Sequence, residues 1–187
     1  MHITKFIFAA IVTLTSGSAA LAQEPAQCPQ GGDGSPLALH EEWIMEAWER
    51  RDGDPQFNFI SKMGKYYDLE DPHGTYWDNF APGDTQLFDN ASLYGANWED
   101  LQNGARSVQH GITNGNDAIV GEDVASTTLG FVGRLERLTG EVIAFDARSQ
   151  LGWACVAGEW KIKQEMNYAW IVEPKSIEPV LGKRLTP

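Results

Sequence analysis

The stretch GEWKIKQEMNYAW, Gly158 to Trp170, alternates apolar and polar residues behind an Ala-Gly turn signal. A period of two belongs to a β-strand. It puts Trp160, Ile162, Gln164, Met166, Tyr168 and Trp170 on one face, and Lys161, Lys163, Glu165 and Asn167 on the other. The mostly apolar face is expected to look inward, with Gln164 and Tyr168 lining any pocket there. A buried amide needs a partner, so Gln164 either bonds a neighbouring strand or meets a ligand.

Three more strand candidates precede this one: SVQHGIT, VASTTLGFVGRLER and EVIAFDARSQLGWACV. Asn114-Gly115, Thr139-Gly140 and Ala157-Gly158 separate the four as hairpin turns. In the third, Ile143, Phe145, Ala147, Leu151 and Trp153 form a face suited to core or dimer contact. On its other face Arg148 either pairs with Asp146 at a solvated edge or turns inward to clamp a carboxylate or enolate oxygen.

Ahead of the strands the period is helical. Ser35-Pro36 reads as an N-cap and first-turn proline. Leu37, Trp43, Ile44, Ala47 and Trp48 then make an apolar stripe that stops at DGDP, with His40 at the surface or boundary of this helix. A short helix should run from Pro55 to Gly64, and a third from Ala96 to about Asn103. Between them, KYYDLEDPHGTYWDNFAPGDTQLFDN is irregular and aromatic, with short strands near Tyr66-Tyr67 and Gln86–Phe88. No element is evident after Pro174. Helices first and long hairpins last define an α+β fold, and long strands packed on helices curl into a concave face.

The N-terminus reads MHITKFIFAAIVTLTSGSAALAQ: Lys5, a short apolar run, then Ala20-Leu21-Ala22. That is the layout of a secretory leader, and the run falls short of the roughly 20 residues a membrane span needs. Residues 1–22 are therefore expected to be removed, giving an exported, periplasmic or secreted protein. The formal charge is −12, one unit more negative without Lys5. Such a surface repels phosphate backbones and anionic lipid, which argues against nucleic-acid and membrane partners. The two cysteines, Cys28 and Cys155, either form a disulfide in an oxidising compartment or leave a free buried Cys155 and an untethered arm over 23–36.

The order of elements and the residues at their joints resemble a known family. HEEWIMEAWERRD opens the domain, LFDNASLYGANWEDLQ leads into the third helix, ITNGNDAIVGEDVASTT begins the long hairpins, and FDARSQLGWACVAGEWKIKQEMNYAW closes it. Together, over residues 37–172, they resemble the SnoaL-like branch of the nuclear-transport-factor-2-like superfamily, leaving 173–187 as a tail. The resemblance implies a cone: a curved mixed β-sheet wrapped around N-terminal helices, with a pocket in its mouth. It implies a homodimer through the outer sheet face, and isomerase, dehydratase or other lyase chemistry without a cofactor. It equally implies non-catalytic ligand-binding or assembly modules. Trp160 and Ile162 match the family's W-x-I pair, but no histidine follows. That departure points chemistry away from the last strand and away from the iota-class carbonic anhydrases.

Within this frame the expected acid–base residues are His110, Asp89 and Tyr67. His110 alternates with Val108 and Ile112, facing the cone, and an imidazole titrates near neutrality. Asp89 would be an alternative base, because a carboxyl in an apolar pocket has its pKa raised. Tyr67 would polarise a carbonyl. Trp77, Tyr94 and Trp98, with Tyr76 and Phe80, are the aromatic wall against which a small organic ligand would stack. His73 beside Glu70 and Asp71 is a weak metal motif, and no metal site is assigned.

Overall fold

The computed structural model describes residues 26–182, so the expected leader lies outside the described residues. Helix α1 (Pro36–Glu42) runs into a π-turn (Trp43–Ala47), followed by α2 (Phe59–Met63) and α3 (Ala91–Asn103). The strands are β1 (Thr75–Asp78), β2 (Leu87–Phe88), β3 (Ala105–Ile112), β4 (Asp117–Val120), β5 (Val124–Arg137), β6 (Val142–Val156) and β7 (Glu159–Ile171), and α4 (Pro174–Leu181) closes the chain. They form one seven-stranded sheet in the order β2-β1-β7-β6-β5-β3, with β4 beside β5. All pairings are antiparallel except β1 with β7, so the sheet is mixed. This is the expected α+β architecture.

The long hairpins follow their turn chemistry. Ala157 and Gly158 both have positive φ, 53° and 88°, as a two-residue turn between β6 and β7 requires. Helix α3 begins earlier than its apolar period suggested, because the Asn90 side chain accepts a hydrogen bond from the Leu93 amide at 2.9 Å. Gly95, inside that helix, has a packing reason: a Cβ there would lie 2.1 Å from the Phe59 ring. Strand β1 was not foreseen, and neither was β4.

A single residue inverts the expected faces of β7. Trp153 pairs with Ile162 and Gly152 with Gln164, which leaves Lys163 as an extra residue in the ladder. A bulge of this kind shifts the side-chain parity of everything beyond it. Trp160 and Ile162 point into the core as expected, but from there Glu165, Asn167 and Ala169 are the buried set. Met166, Tyr168 and Trp170 are 57%, 52% and 40% exposed, and Gln164 is exposed as well. The Lys163 ammonium is held by Asp68 at 2.7 Å and Asp71 at 2.6 Å, in the segment leading to β1, and so ties the bulge to that segment.

Two further expectations are corrected. His40 is wholly buried rather than at the surface. Residues 174–181 are a helix that lies on the outer sheet face, where Ile177 packs against Val132 and Ala144. It can lie close because Gly111 has no side chain; a Cβ there would be 2.8 Å from Val180. Of the two possibilities for the cysteines, the disulfide Cys28–Cys155 is formed. Beside it the Trp160 indole donates to the Pro29 carbonyl at 2.7 Å, so the N-terminal arm is fastened to the sheet.

Candidate functional site

The helices and the concave sheet face enclose a cavity of about 70 Å³. Trp43 and Trp48 enter it from the π-turn and the residue after it, Trp98 and Gln102 from α3, and Phe131 and Phe145 from β5 and β6. The backbone N–H of Trp48 donates to the Trp43 carbonyl, five residues back, and the two indoles meet edge to face at 5.9 Å. Widened turns of this kind recur at functional sites. Opposite Gly133, which lacks a Cβ that would strike the Phe145 ring, His110 packs edge-on to Phe131 and Phe145.

The polar floor is a carboxylate network. Asp78, Asn167 and Tyr94 line the cavity, and Glu165 lies behind them. Glu165 accepts from the Tyr67 hydroxyl at 2.5 Å, and its other oxygen contacts the Tyr94 hydroxyl at 2.6 Å and the Asn167 amide at 2.5 Å. The same amide and hydroxyl reach Asp78, at 3.1 Å and 3.3 Å. The Phe80 backbone N–H also donates to Asp78, at 2.7 Å. Tyr67 in turn accepts from the Trp43 indole at 3.1 Å.

Burial dominates the electrostatics here. It pushes the Asp78 carboxyl up to about 6 and the Glu165 carboxyl up to about 7, the latter also repelled by Asp78. Burial likewise raises the Tyr67 and Tyr94 hydroxyls well above the ordinary phenol range, so both remain donors. The two carboxyls titrate as a pair near neutrality. Tyr94 has one proton to give and two carboxyls to face: it donates to Glu165 at 2.6 Å and stands at a longer 3.3 Å from Asp78.

The expected site residues divide sharply. His110, Tyr94 and Trp98 line the cavity. Tyr67 is buried beneath it, holding Glu165 rather than facing the opening. Asp89 is exposed just before α3, where it accepts from the Asn90 side chain. Trp77 is partly buried, on the opposite side of β1 from Tyr76 and Asp78. Arg148 is on the outer sheet face, 3.5 Å from Asp146, and Gln164 and Tyr168 are outside because of the bulge. Sequence reasoning missed Asp78, Glu165 and Asn167. The signal for Asp78 was present: in GTYWD it shares a strand face with Tyr76. For Glu165 and Asn167 the alternation pointed the wrong way. Among the described residues no group of three or more His, Cys, Asp and Glu side chains is arranged to hold a metal ion.

Solved structures share this fold. The chain has the NTF2-like cone fold. An NTF2-like superfamily protein from Salmonella enterica serovar Typhimurium superposes with a TM-score of 0.53 at 11% identity, over 69% of this chain and 82% of that one. A putative calcium/calmodulin-dependent protein kinase II association domain from Xanthomonas campestris gives 0.54 at 14% identity, over 79% and 95%. A hexachlorocyclohexane dehydrochlorinase, LinA type 2, gives 0.51 at 9% identity, over 73% and 85%. No protein-family model matches the sequence, and no curated protein matches it. At these identities the likeness concerns the fold alone, so the NTF2-like cone must be read for function through its own residues.

Proposed function

We propose that this protein is an exported, cofactor-independent acid–base enzyme, an isomerase or lyase of the SnoaL-like kind, acting on a small organic molecule in the cone. The observation that carries this reading is a carboxyl, Asp78, lining an apolar cavity and poised near neutrality, with the proton-sharing Glu165 behind it. A base whose pKa lies near working pH is the effective one for abstracting a proton from carbon. Asp78 therefore takes the role first expected of Asp89. His110 is the second proton carrier. It belongs to β3 and Asp78 to β1, towards opposite ends of the strand order, so the two approach bound substrate from different sides. Fold likeness to a protein named as a dehydrochlorinase is compatible with elimination on this scaffold. The Cys28–Cys155 bond and the leader-like N-terminus support export.

The test needs no natural substrate. Proton abstraction from carbon is read as deuterium uptake at the α-carbons of a small ketone in D2O. Asp78→Asn is expected to slow that uptake by roughly 10²-fold or more, the usual contribution of a positioned base. Uptake unchanged in both Asp78→Asn and His110→Gln would end the catalytic reading.

One observation favours a second reading, assembly. Trp77, Leu87, Met166, Tyr168 and Trp170 lie on neighbouring strands of the outer face, with Trp77 opposite both Leu87 and Met166 in the ladder. Such a strip suits a homodimer contact. Light scattering on the wild type and on Tyr168→Glu would detect a dimer that the charge abolishes.

A further inference from the structure

From the chemistry of the cavity wall we infer that the ligand is an uncharged molecule bearing a carbonyl or hydroxyl oxygen, and that carboxylates, phosphates and ammonium compounds are refused. This deepens the reading of the same cavity as an acid–base site and rests on it. Three features of the wall lead to it.

The first is charge. Among the described residues neither lysine nor arginine lines the cavity; its titratable side chains are Asp78, the His110 imidazole and the Tyr94 phenol. Arg148, the arginine expected to clamp an oxyanion, is occupied on the outer face by Asp146 and the Ala147 carbonyl. An anionic ligand would lose its hydration and stand near Asp78 with no lysine or arginine to offset its charge, an expensive placement.

The second is the hydrogen-bonding inventory. The indole N–H groups of Trp48 and Trp98 are buried without a protein acceptor, and both side chains line the cavity. Gln102 Oε1 and Asn167 Oδ1, on two further lining side chains, are buried without a protein donor. Buried polar groups are nearly always satisfied, so two spare donors call for an acceptor oxygen and two spare acceptors for a hydroxyl. An ammonium group has no lone pair to offer either indole.

The third is the state of Asp78. Asn167, Tyr94 and the Phe80 amide already contact its carboxylate, which leaves room to accept one proton but not to surround an ammonium group. The aromatic walls then accept an apolar frame, and the size of about 70 Å³ restricts that frame to a compact ring or short chain.

A matched series decides the point: cyclohexanone, cyclohexanecarboxylate and cyclohexylammonium, one ring with three head groups. Each is titrated at millimolar concentration into the wild type, with the indole N–H signals followed by NMR and the melting temperature recorded. The expected result is a melting shift from the ketone alone, accompanied by downfield movement of the Trp48 and Trp98 indole protons. Trp98→Phe keeps the ring, removes one donor and assigns its signal; it should weaken ketone binding roughly fivefold, the worth of one neutral hydrogen bond. Binding of the carboxylate or the ammonium as tightly as the ketone would overturn the inference, and so would failure of the ketone to bind. Repeating the ketone titration in Asp78→Asn separates the two claims. Binding retained with deuterium uptake lost upholds both, whereas binding with uptake indifferent to Asp78 upholds the ligand class and removes the chemistry.

Discussion

Two polar clusters are buried in this cone, and they are built on opposite principles. In one, His40 lies between β5 and β6, its Nδ1 2.8 Å from the Thr127 hydroxyl and its Nε2 3.0 Å from the Ser149 hydroxyl. Thr127 also accepts from the Trp153 indole at 2.8 Å, so one hydroxyl joins the ring to the indole. Every group has a partner, none carries charge, and none lines the cavity. In the other, Asp78, Glu165, Tyr94 and Asn167 share too few protons among too many acceptors and border open space. A closed, satisfied cluster holds β5 and β6 against α1. A cluster that is polar, proton-short and adjacent to a cavity is suited to exchange protons with something else.

The contrast makes measurable demands. The largest effect should come from His40→Leu, which strands the Thr127 and Ser149 hydroxyls in the core. A loss of about 3 kcal/mol in urea unfolding is expected, in line with breaking a buried network. The same cluster should set the acid limit. Burial lowers the His40 pKa to about 3 from an ordinary 6.5, so below pH 6.5 the unfolded chain takes up a proton that the native chain does not. Stability from this group is complete above the unfolded pKa and falls as pH drops, by roughly 3 kcal/mol at pH 4. His40→Leu should lack that slope.

The carboxylate cluster predicts the reverse dependence. Burial raises the Glu165 pKa, so the native chain keeps a proton that the unfolded chain releases. Its contribution is complete below the unfolded pKa and is lost as pH rises through the folded one. Glu165→Gln, which mimics the protonated acid, should therefore gain about 2 kcal/mol on the wild type between pH 5 and pH 8. A flat difference between the two proteins over that interval would show the floor to be as inert as the His40 cluster. The smallest effect belongs to the outer strip. Tyr168→Ser, on a residue once expected in the pocket, should change monomer stability by less than about 0.5 kcal/mol. A loss of several kcal/mol there would restore the unbulged register.

How much of this was legible follows from what each residue reports locally. The three long strands β5, β6 and β7 were readable because period-two alternation and the Thr-Gly and Ala-Gly turns act within a few residues of one another, whereas Asn114-Gly115 joins β3 to β4, which both pair with β5 and not with each other. His110 and Trp98 were readable as cavity residues because their elements were placed correctly, and Tyr94 because it belongs to the same run of aromatics. His40 was not, because its partners Thr127 and Ser149 are 87 and 109 residues away. The tail was not, because the helix 174–181 buries Ile177 against Val132 and Ala144, which its own short sequence does not reveal.

What the amino-acid sequence determined unaided was the class of fold, its helices-first and hairpins-last order and an aromatic-rich interior, since hydrophobic period and turn residues operate at short range. What only the tertiary structure decided was which face of β7 meets the cavity. Apolar alternation favoured Gln164, Met166, Tyr168 and Trp170. The extra residue Lys163, anchored to Asp68 and Asp71 some 90 positions earlier, turned that set outward and drew Glu165 and Asn167 in. The burial of those two is stabilised by hydrogen bonds from Tyr67 and Tyr94 and by contact with Asp78, which come together only when the cone is closed.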